Sequence, residues 1–259
     1  MTTTIRFDDG SGYERYMGIW SQLVGARFLD WLAPDPGMRW LDVGCGNGAF
    51  TETLVERAAP RAVDGIDPSA QQLVFARARP STQVAKFHLG DAMALPFEAD
   101  AFDVAVMPLV IFFVPEPAVG VAEMTRVVRA GGIVSAYAWD IEGGGFPYHA
   151  LQAEMRDMGL DMPGPPSPEA SRLDTLRTLW NDAGLEDTMT TTLEVHRTFA
   201  DFDDYWATIQ RGPSVGPALR GMSPAQAAEL QQRMRASLAQ DDAGRIAYPA
   251  RANAVLGRV

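Results

Sequence analysis

Trp40-Leu41-Asp42-Val43-Gly44-Cys45-Gly46-Asn47-Gly48-Ala49-Phe50 decides how the rest of the chain is read. It holds a short apolar run, an acidic residue, glycines at alternate positions 44, 46 and 48, and then an apolar pattern with helical spacing. A buried strand that turns sharply into a helix has this pattern. Glycine lets the backbone take positive φ and lets a ligand lie against the main chain with no Cβ in the way. The first turn of the following helix offers unpaired N–H groups to whatever sits there. Such a turn suits a nucleotide-type ligand, provided that the downstream spacing agrees.

Downstream, strands and helices alternate. Strands are expected over 39–43, 62–66, 84–89, 102–107 and 133–139, and helices over 49–58, 70–78 and 117–129. Ser69 is placed to cap the second of these helices, and Gly131-Gly132 to stop the third. Several of the strands are nearly all apolar, which indicates a parallel sheet covered on both faces. Residues 38–140 therefore read as an open, doubly wound α/β core. Upstream, residues 11–32 form an aromatic amphipathic helical stretch within an N-terminal segment, 1–37. Leu23, Phe28 and Trp31 suit packing on the next layer. Tyr13, Tyr16, Met17 and Trp20 suit either the same packing or a lid over a ligand. Residues 141–259 supply a helix over 148–158, a helix opened by Ser171 with Asp174 as a loose capping box, and strands over 188–198 and 245–256. Between those strands lie helices, one with an acidic first turn at 201–210 and one opened by Ser223-Pro224.

Composition narrows the function. The chain has 259 residues, 47% of them hydrophobic, enough for a proper core. A formal net charge of −11 argues against a nucleic-acid partner, since neutralising phosphates takes a basic face. Arg77 and Arg79 read as the solvated end of a helix rather than a basic patch. The single cysteine, Cys45, excludes an internal disulfide and a cysteine-cluster metal site, so no metal is expected. With no His near it in sequence, Cys45 reads as a small turn residue, not a nucleophile. No apolar run approaches the ~18 residues that span a membrane, and the expected location is cytoplasmic.

Three positions line up at the carboxyl ends of consecutive strands, where open α/β sheets bind ligands. The glycine turn follows the first, Asp67 ends the second 19 residues beyond Gly48, and Asp91 follows the third. A carboxylate at the second tip suits the hydroxyls of a ribose, and one at the third suits an adenine amino group. The glycine pattern here is G-x-G-x-G, continued by Phe50 and Thr51, whereas dinucleotide folds usually show G-x-G-x-x-G.

Residues 41–48, Gly65-Ile66-Asp67-Pro68-Ser69, Gly90-Asp91-Ala92 with Leu95-Pro96-Phe97, Phe102-Asp103-Val104 and Val128-Arg129-Ala130-Gly131-Gly132 resemble the successive motifs of class I S-adenosylmethionine-dependent methyltransferases. Within that group the chain is similar to the bacterial small-molecule branch that contains the ubiquinone/menaquinone enzymes. The resemblance covers residues 38–140 and is specific for fold and cofactor, not for substrate. It implies a Rossmann-like mixed sheet of seven strands with the last antiparallel, residues 185–198 and 245–256 completing it. Substrate-side insertions would then occupy 141–170 and 200–242. It also implies that Gly44, Gly46 and Gly48 hold the methionine and ribose end of S-adenosylmethionine. Asp67 would take the ribose hydroxyls, Pro68 would lie beside the adenine, and Asp91 with the Ala92 N–H would meet its edge. Asp42 would steady the turn and Met107 to Leu109 would line the cofactor; on the lid reading of the residues, Tyr16 and Trp20 close over it. The Asn/Asp-Pro-Pro-Tyr motif of nucleic-acid amino methylases is absent, and Met107-Pro108-Leu109-Val110 stands in its place.

Methyl transfer from a sulfonium needs in-line placement and exclusion of water more than acid catalysis. A hydroxyl acceptor would also need a base. Of His88, His149 and His196, the first and last fall within strands, so His149 is the candidate base or orienting group. Tyr16, Trp20, Phe112, Phe113, Trp139, Phe146 and Trp206 suit either an aromatic acceptor pocket or ordinary core packing. Three functions stay open: transfer of a methyl group to a small-molecule acceptor, non-catalytic binding of the cofactor, and NAD(P)-dependent oxidoreduction.

Overall fold

The computed structural model describes residues 14–160, 164–210, 212 and 215–259. Seven strands form one sheet: β1 Arg39–Val43, β2 Ala62–Asp67, β3 Ala85–Leu89, β4 Phe102–Pro108, β5 Val128–Trp139, β6 Glu186–Phe199 and β7 Ile246–Arg258. Their order is β3-β2-β1-β4-β5-β7-β6. The first five pair in parallel, and β7 is antiparallel to both neighbours. This is the doubly wound mixed sheet expected from the sequence. The chain runs outward from β1 to β3 and returns to lay β4 beside β1. The resulting reversal opens a crevice above the carboxyl ends of β1 and β4.

The central strands are buried on both faces, as their apolar runs require; β4 leaves only Asp103 partly exposed. The edge strand β6 alternates instead, with Leu193, Val195, Arg197 and Phe199 inward and Glu194, His196 and Thr198 outward. Helices α1 Ile19–Leu32, α2 Ala49–Ala58, α3 Ala70–Ala78 and α4 Pro117–Val127 accompany the first five strands. Beyond them come α5 His149–Asp157, α6 Leu173–Asp182, α7 Phe202–Ile209, α8 Val215–Gly221 and α9 Pro224–Ser237. Helix α1 lies against both α2 and β6. It crosses α2 at Gly25, where a Cβ would come 2.9 Å from the Phe50 ring and 3.3 Å from the Tyr137 hydroxyl.

Local details depart from the sequence reading. Helix α4 stops at Val127, and β5 begins at once at Val128, which pairs with Phe102 across an irregular register. Gly131, at φ +72, thus lies inside the strand rather than ahead of it. Ser171 does not cap α6, because its hydroxyl donates back to the Pro168 carbonyl at 2.7 Å and the helix starts after Arg172. The caps at Ser69 and Ser223 form as read, the second as a full capping box with Gln226, and Asp201, read as the first residue of its helix, instead caps it by accepting from the Asp204 N–H. Tyr13 lies outside the described residues.

Candidate functional site

The glycine turn hangs from the tip of β2. The N–H groups of Gly44 and Cys45 both donate to the Ile66 carbonyl, at 2.8 and 3.0 Å. All three glycines take positive φ, but their surroundings differ. A Cβ at Gly44 would come 2.4 Å from Val110 Cγ2, and one at Gly48 would come 3.1 Å from the Cβ of Ala76 on α3. At Gly46 nothing lies within 4 Å, so this glycine presents bare main chain to open space. The far side of the turn is tied down by Arg79, whose Nε donates to the Asn47 carbonyl at 2.7 Å and whose Nη1 pairs with Glu52 at 2.7 Å. The Arg79 side chain is only 16% exposed, so it is a strut of the turn and not the solvated helix end read from the sequence.

Asp67 faces this turn from the end of β2. One carboxylate oxygen accepts from the Gly46 N–H at 2.9 Å and the other from the Ser69 N–H at 2.8 Å. Burial pushes its carboxyl above the usual range, against the pull of those two N–H groups. Asp42 lies beneath the turn, fully buried, with one oxygen accepting from the Thr51 hydroxyl at 2.6 Å and the other without a partner. Burial raises its carboxyl to about 7; the Thr51 bond opposes the rise and the charge of Asp67 adds to it. Burial and the two neighbouring carboxylates also push the Cys45 thiol well above its ordinary value, the reverse of what a nucleophile needs.

Between these elements lies a crevice of about 420 Å³, within the range of small-molecule sites. Its floor is the turn from Gly44 to Asn47. One wall is Asp67, Pro68, Ser69 and Gln72, and the opposite wall is Pro108 to Val110 with Phe113. Ser21, Phe50 and Tyr137 complete the lining. Leu109 holds φ +60, rare for a branched side chain, and its N–H donates to the Tyr137 carbonyl at 2.7 Å. Backbone strain of this kind clusters at ligand sites.

The structure thus gathers Gly44, Gly46, Asp67 and Pro68 at the crevice and sets Asp42 directly beneath it. Other sequence-based candidates stand elsewhere. Gly48 packs against α3. Met107 is fully buried, its neighbours Pro108 and Leu109 forming the wall instead. Asp91 is on the adjacent tip of the same rim, exposed, accepting from the Met93 N–H at 2.9 Å, and neither it nor Ala92 lines the crevice. Tyr16 and Trp20 do not cover the crevice: both are buried, with Tyr16 stacked on Tyr148 at 4.3 Å and Trp20 donating to the Tyr148 hydroxyl at 3.2 Å. His149 also stays outside the lining. It opens α5, with its ring over Gly144, where a Cβ would come 3.3 Å from Nε2. Ser21, Phe50, Gln72 and Tyr137 escaped the sequence reading; for Tyr137 the carboxyl-end rule was the available signal. Among the described residues, no group of three or more His, Cys, Asp or Glu is arranged to hold a metal ion, and no helix is long and apolar enough to cross a membrane.

Residues 41–136 match the model of the methyltransferase domain family. An uncharacterized protein of Mycobacterium tuberculosis is 31% identical over 108 residues, 42% of this chain and 39% of that relative. A ubiquinone/menaquinone biosynthesis C-methyltransferase of Ruegeria sp. is 37% identical over 108 residues, 40% of this chain and 43% of the relative. The matched segment thus spans about two fifths of either relative. In structure, the chain resembles phosphoethanolamine N-methyltransferase 2 of Haemonchus contortus in complex with S-adenosylmethionine. The TM-score is 0.58 at 16% identity, covering 96% of this chain and 56% of that one, a likeness of fold.

Proposed function

We propose that the crevice binds S-adenosylmethionine and that the protein transfers the methyl group to a small-molecule acceptor, a reading supported by the match of residues 41–136 to the methyltransferase domain family and by the order of the sheet. The observation that carries the proposal is the Asp67 carboxylate held 2.9 Å from the Gly46 N–H, beside a stretch of main chain with no side chain over it. A carboxylate offers about four lone-pair sites, and two are spent on N–H groups here, leaving two for a ribose diol. A Cβ at Gly46 would project into the space that such a ligand needs. The name of the Ruegeria relative, a quinone-pathway C-methyltransferase, and the net charge of −11 both favour a small acceptor over a nucleic acid.

S-adenosylmethionine, when bound, supplies a methyl group on a positively charged sulfur that is its own leaving group. The chain's part is binding, orientation and exclusion of water. Asp67 would fix the ribose, Pro68 would flank the adenine, and Asp91 with the Ala92 N–H, one strand further along the rim, would bound its edge. Asp42 steadies the turn through Thr51 on α2. The apolar wall of Leu109, Val110 and Phe113 would keep water from the transferring group. His149 stands away from this lining, and no proton transfer is assigned to it.

The test is calorimetric titration of the full chain with S-adenosylmethionine and S-adenosylhomocysteine, beside Asp67→Asn. A screen for S-adenosylhomocysteine release over small phenols, carboxylates and amines completes it. Micromolar binding lost in the variant, with release on at least one acceptor, is the expected outcome. Folded protein that takes up neither compound would refute the proposal.

A further inference from the structure

The two edges of the sheet are built differently. At one edge, β3 is only five residues long. It carries the chain's one lysine, the exposed Lys86. Its Phe87 carbonyl accepts from Arg77 Nη2 at 2.8 Å, so a guanidinium already occupies the outer side of the strand. A short edge with a lysine on it and a capped carbonyl is protected against further pairing.

At the other edge, β6 is 14 residues long and lacks these devices. Within it, Thr188-Met189-Thr190-Thr191-Thr192-Leu193 has no charge, no proline and no glycine, and threonine favours pairing. In an antiparallel pair every second residue turns its N–H and C=O away from the neighbouring strand. Among the described residues, no main-chain group from Glu186 to His196 is bonded from outside the sheet. Arg177 does reach this edge, but it donates to the Thr190 hydroxyl, at 2.6 Å. Met189 is 54% exposed here, a large apolar side chain with nothing over it.

We propose that β6 is a dimer interface that pairs antiparallel with β6 of a second copy of this chain. The run is self-complementary about a two-fold axis at Thr191. Thr191 then faces Thr191, Thr190 faces Thr192, and the exposed Met189 faces Leu193. Glu194 faces Thr188 and meets no like charge. Past this run, a groove of about 500 Å³ lies between Glu194–His196 and helix α1, with Ile19, Leu23 and Arg27 among its lining. The exposed acidic start of the strand, Glu186 and Asp187, extends along that groove of the other copy, toward Arg27 and His196. An axis at Thr190 would instead bring Glu194 against the acidic pair. The two-fold reverses strand direction, so the two crevices open at opposite ends of one joined sheet, each complete within its own copy. The pairing is independent of what the crevice binds.

The test is the solution mass of the full chain by sedimentation at micromolar concentrations. The wild type sediments at twice the 28.2 kDa of the chain. Thr191→Lys and Thr191→Glu each set two like charges face to face at the axis and weaken association about tenfold or more. An equimolar mixture of the two variants regains the wild-type mass, because lysine then faces glutamate. Lys86→Glu, on the protected edge, leaves the mass unchanged. Hydrogen exchange on the wild type reads the same contact without a variant: amides within 188–194 slow from dilute to concentrated protein, and those of β3 do not. The interface is overturned by a wild type of single-chain mass, by a dimer that survives both substitutions at 191, or by folded variants whose mixture stays monomeric. A mass that keeps growing with concentration, or exchange along 188–194 that ignores concentration, overturns it as well.

Discussion

Asp42→Asn should make the protein more stable relative to the wild type as pH rises. The folded state holds the Asp42 carboxyl at about 7 against 3.8 for the free group, because the side chain is buried and one oxygen has no partner. Folding therefore tightens this proton. The stabilisation it gives is complete below pH 3.8 and is lost as pH rises through 7. The full span, 7 − 3.8 = 3.2 units at 1.36 kcal/mol each, is about 4 kcal/mol. Between pH 5 and pH 8.5 the wild type should lose about 3 kcal/mol of it. Asparagine has the same shape and can still accept from Thr51, but it carries no charge to desolvate. Any fixed cost of the amide cancels when the two proteins are compared across pH. Urea unfolding of both at pH 5 and pH 8.5 should thus give a double difference of about 3 kcal/mol in favour of the variant at the higher pH. Parallel pH profiles for the two proteins would refute the reasoning, and so would a variant losing ground as pH rises. The same variant should bind S-adenosylmethionine more weakly, since a buried anion beneath the turn favours a cationic ligand above it. Stability is then traded for function at one residue.

Asp67→Asn should weaken S-adenosylhomocysteine binding about 10- to 100-fold, the worth of hydrogen bonds to a charged acceptor. Asp91→Ala, outside the lining, should cost less than about fivefold in the same titration; equal losses would place the adenosine differently from the proposal. Gly44→Ala should destabilise by about 1–3 kcal/mol, because its Cβ meets Val110 at 2.4 Å, and Val110→Ala should recover part of the loss in urea unfolding. Gly46→Ala should cost only the roughly 1 kcal/mol of its positive φ, while losing cofactor affinity by a larger factor, since its Cβ would enter the crevice. Arg79→Ala should lower stability by about 1–2 kcal/mol through the freed Asn47 carbonyl and Glu52, and should raise hydrogen exchange at the turn.

The strands and the rim were legible because their signals are local: apolar runs bounded by glycine, and acids at fixed distances from a glycine turn. What local signals cannot give is the direction of a side chain once elements cross. Gly44, Gly46 and Gly48 are one motif in sequence, yet Val110 from β4's end abuts the first, open space the second and Ala76 of α3 the third. Tyr137 and Ser21 meet at the crevice only because α1 can approach the sheet closely at Gly25. Tyr16 and Trp20 have the spacing of a buried helical face and the composition of a lid, and nothing in the sequence chooses between them. The choice is made by Tyr148, 128 residues beyond Trp20, which accepts the indole proton and donates to the Tyr16 carbonyl. Arg79 illustrates the same gap: a basic residue at a helix end is solvated by default, and only the distant Asn47 carbonyl turns it into a strut. The glycine turn and the carboxylate facing it are therefore written in motifs, whereas the rest of the lining, Ser21 and Tyr137 above all, is written in contacts between segments far apart in the chain.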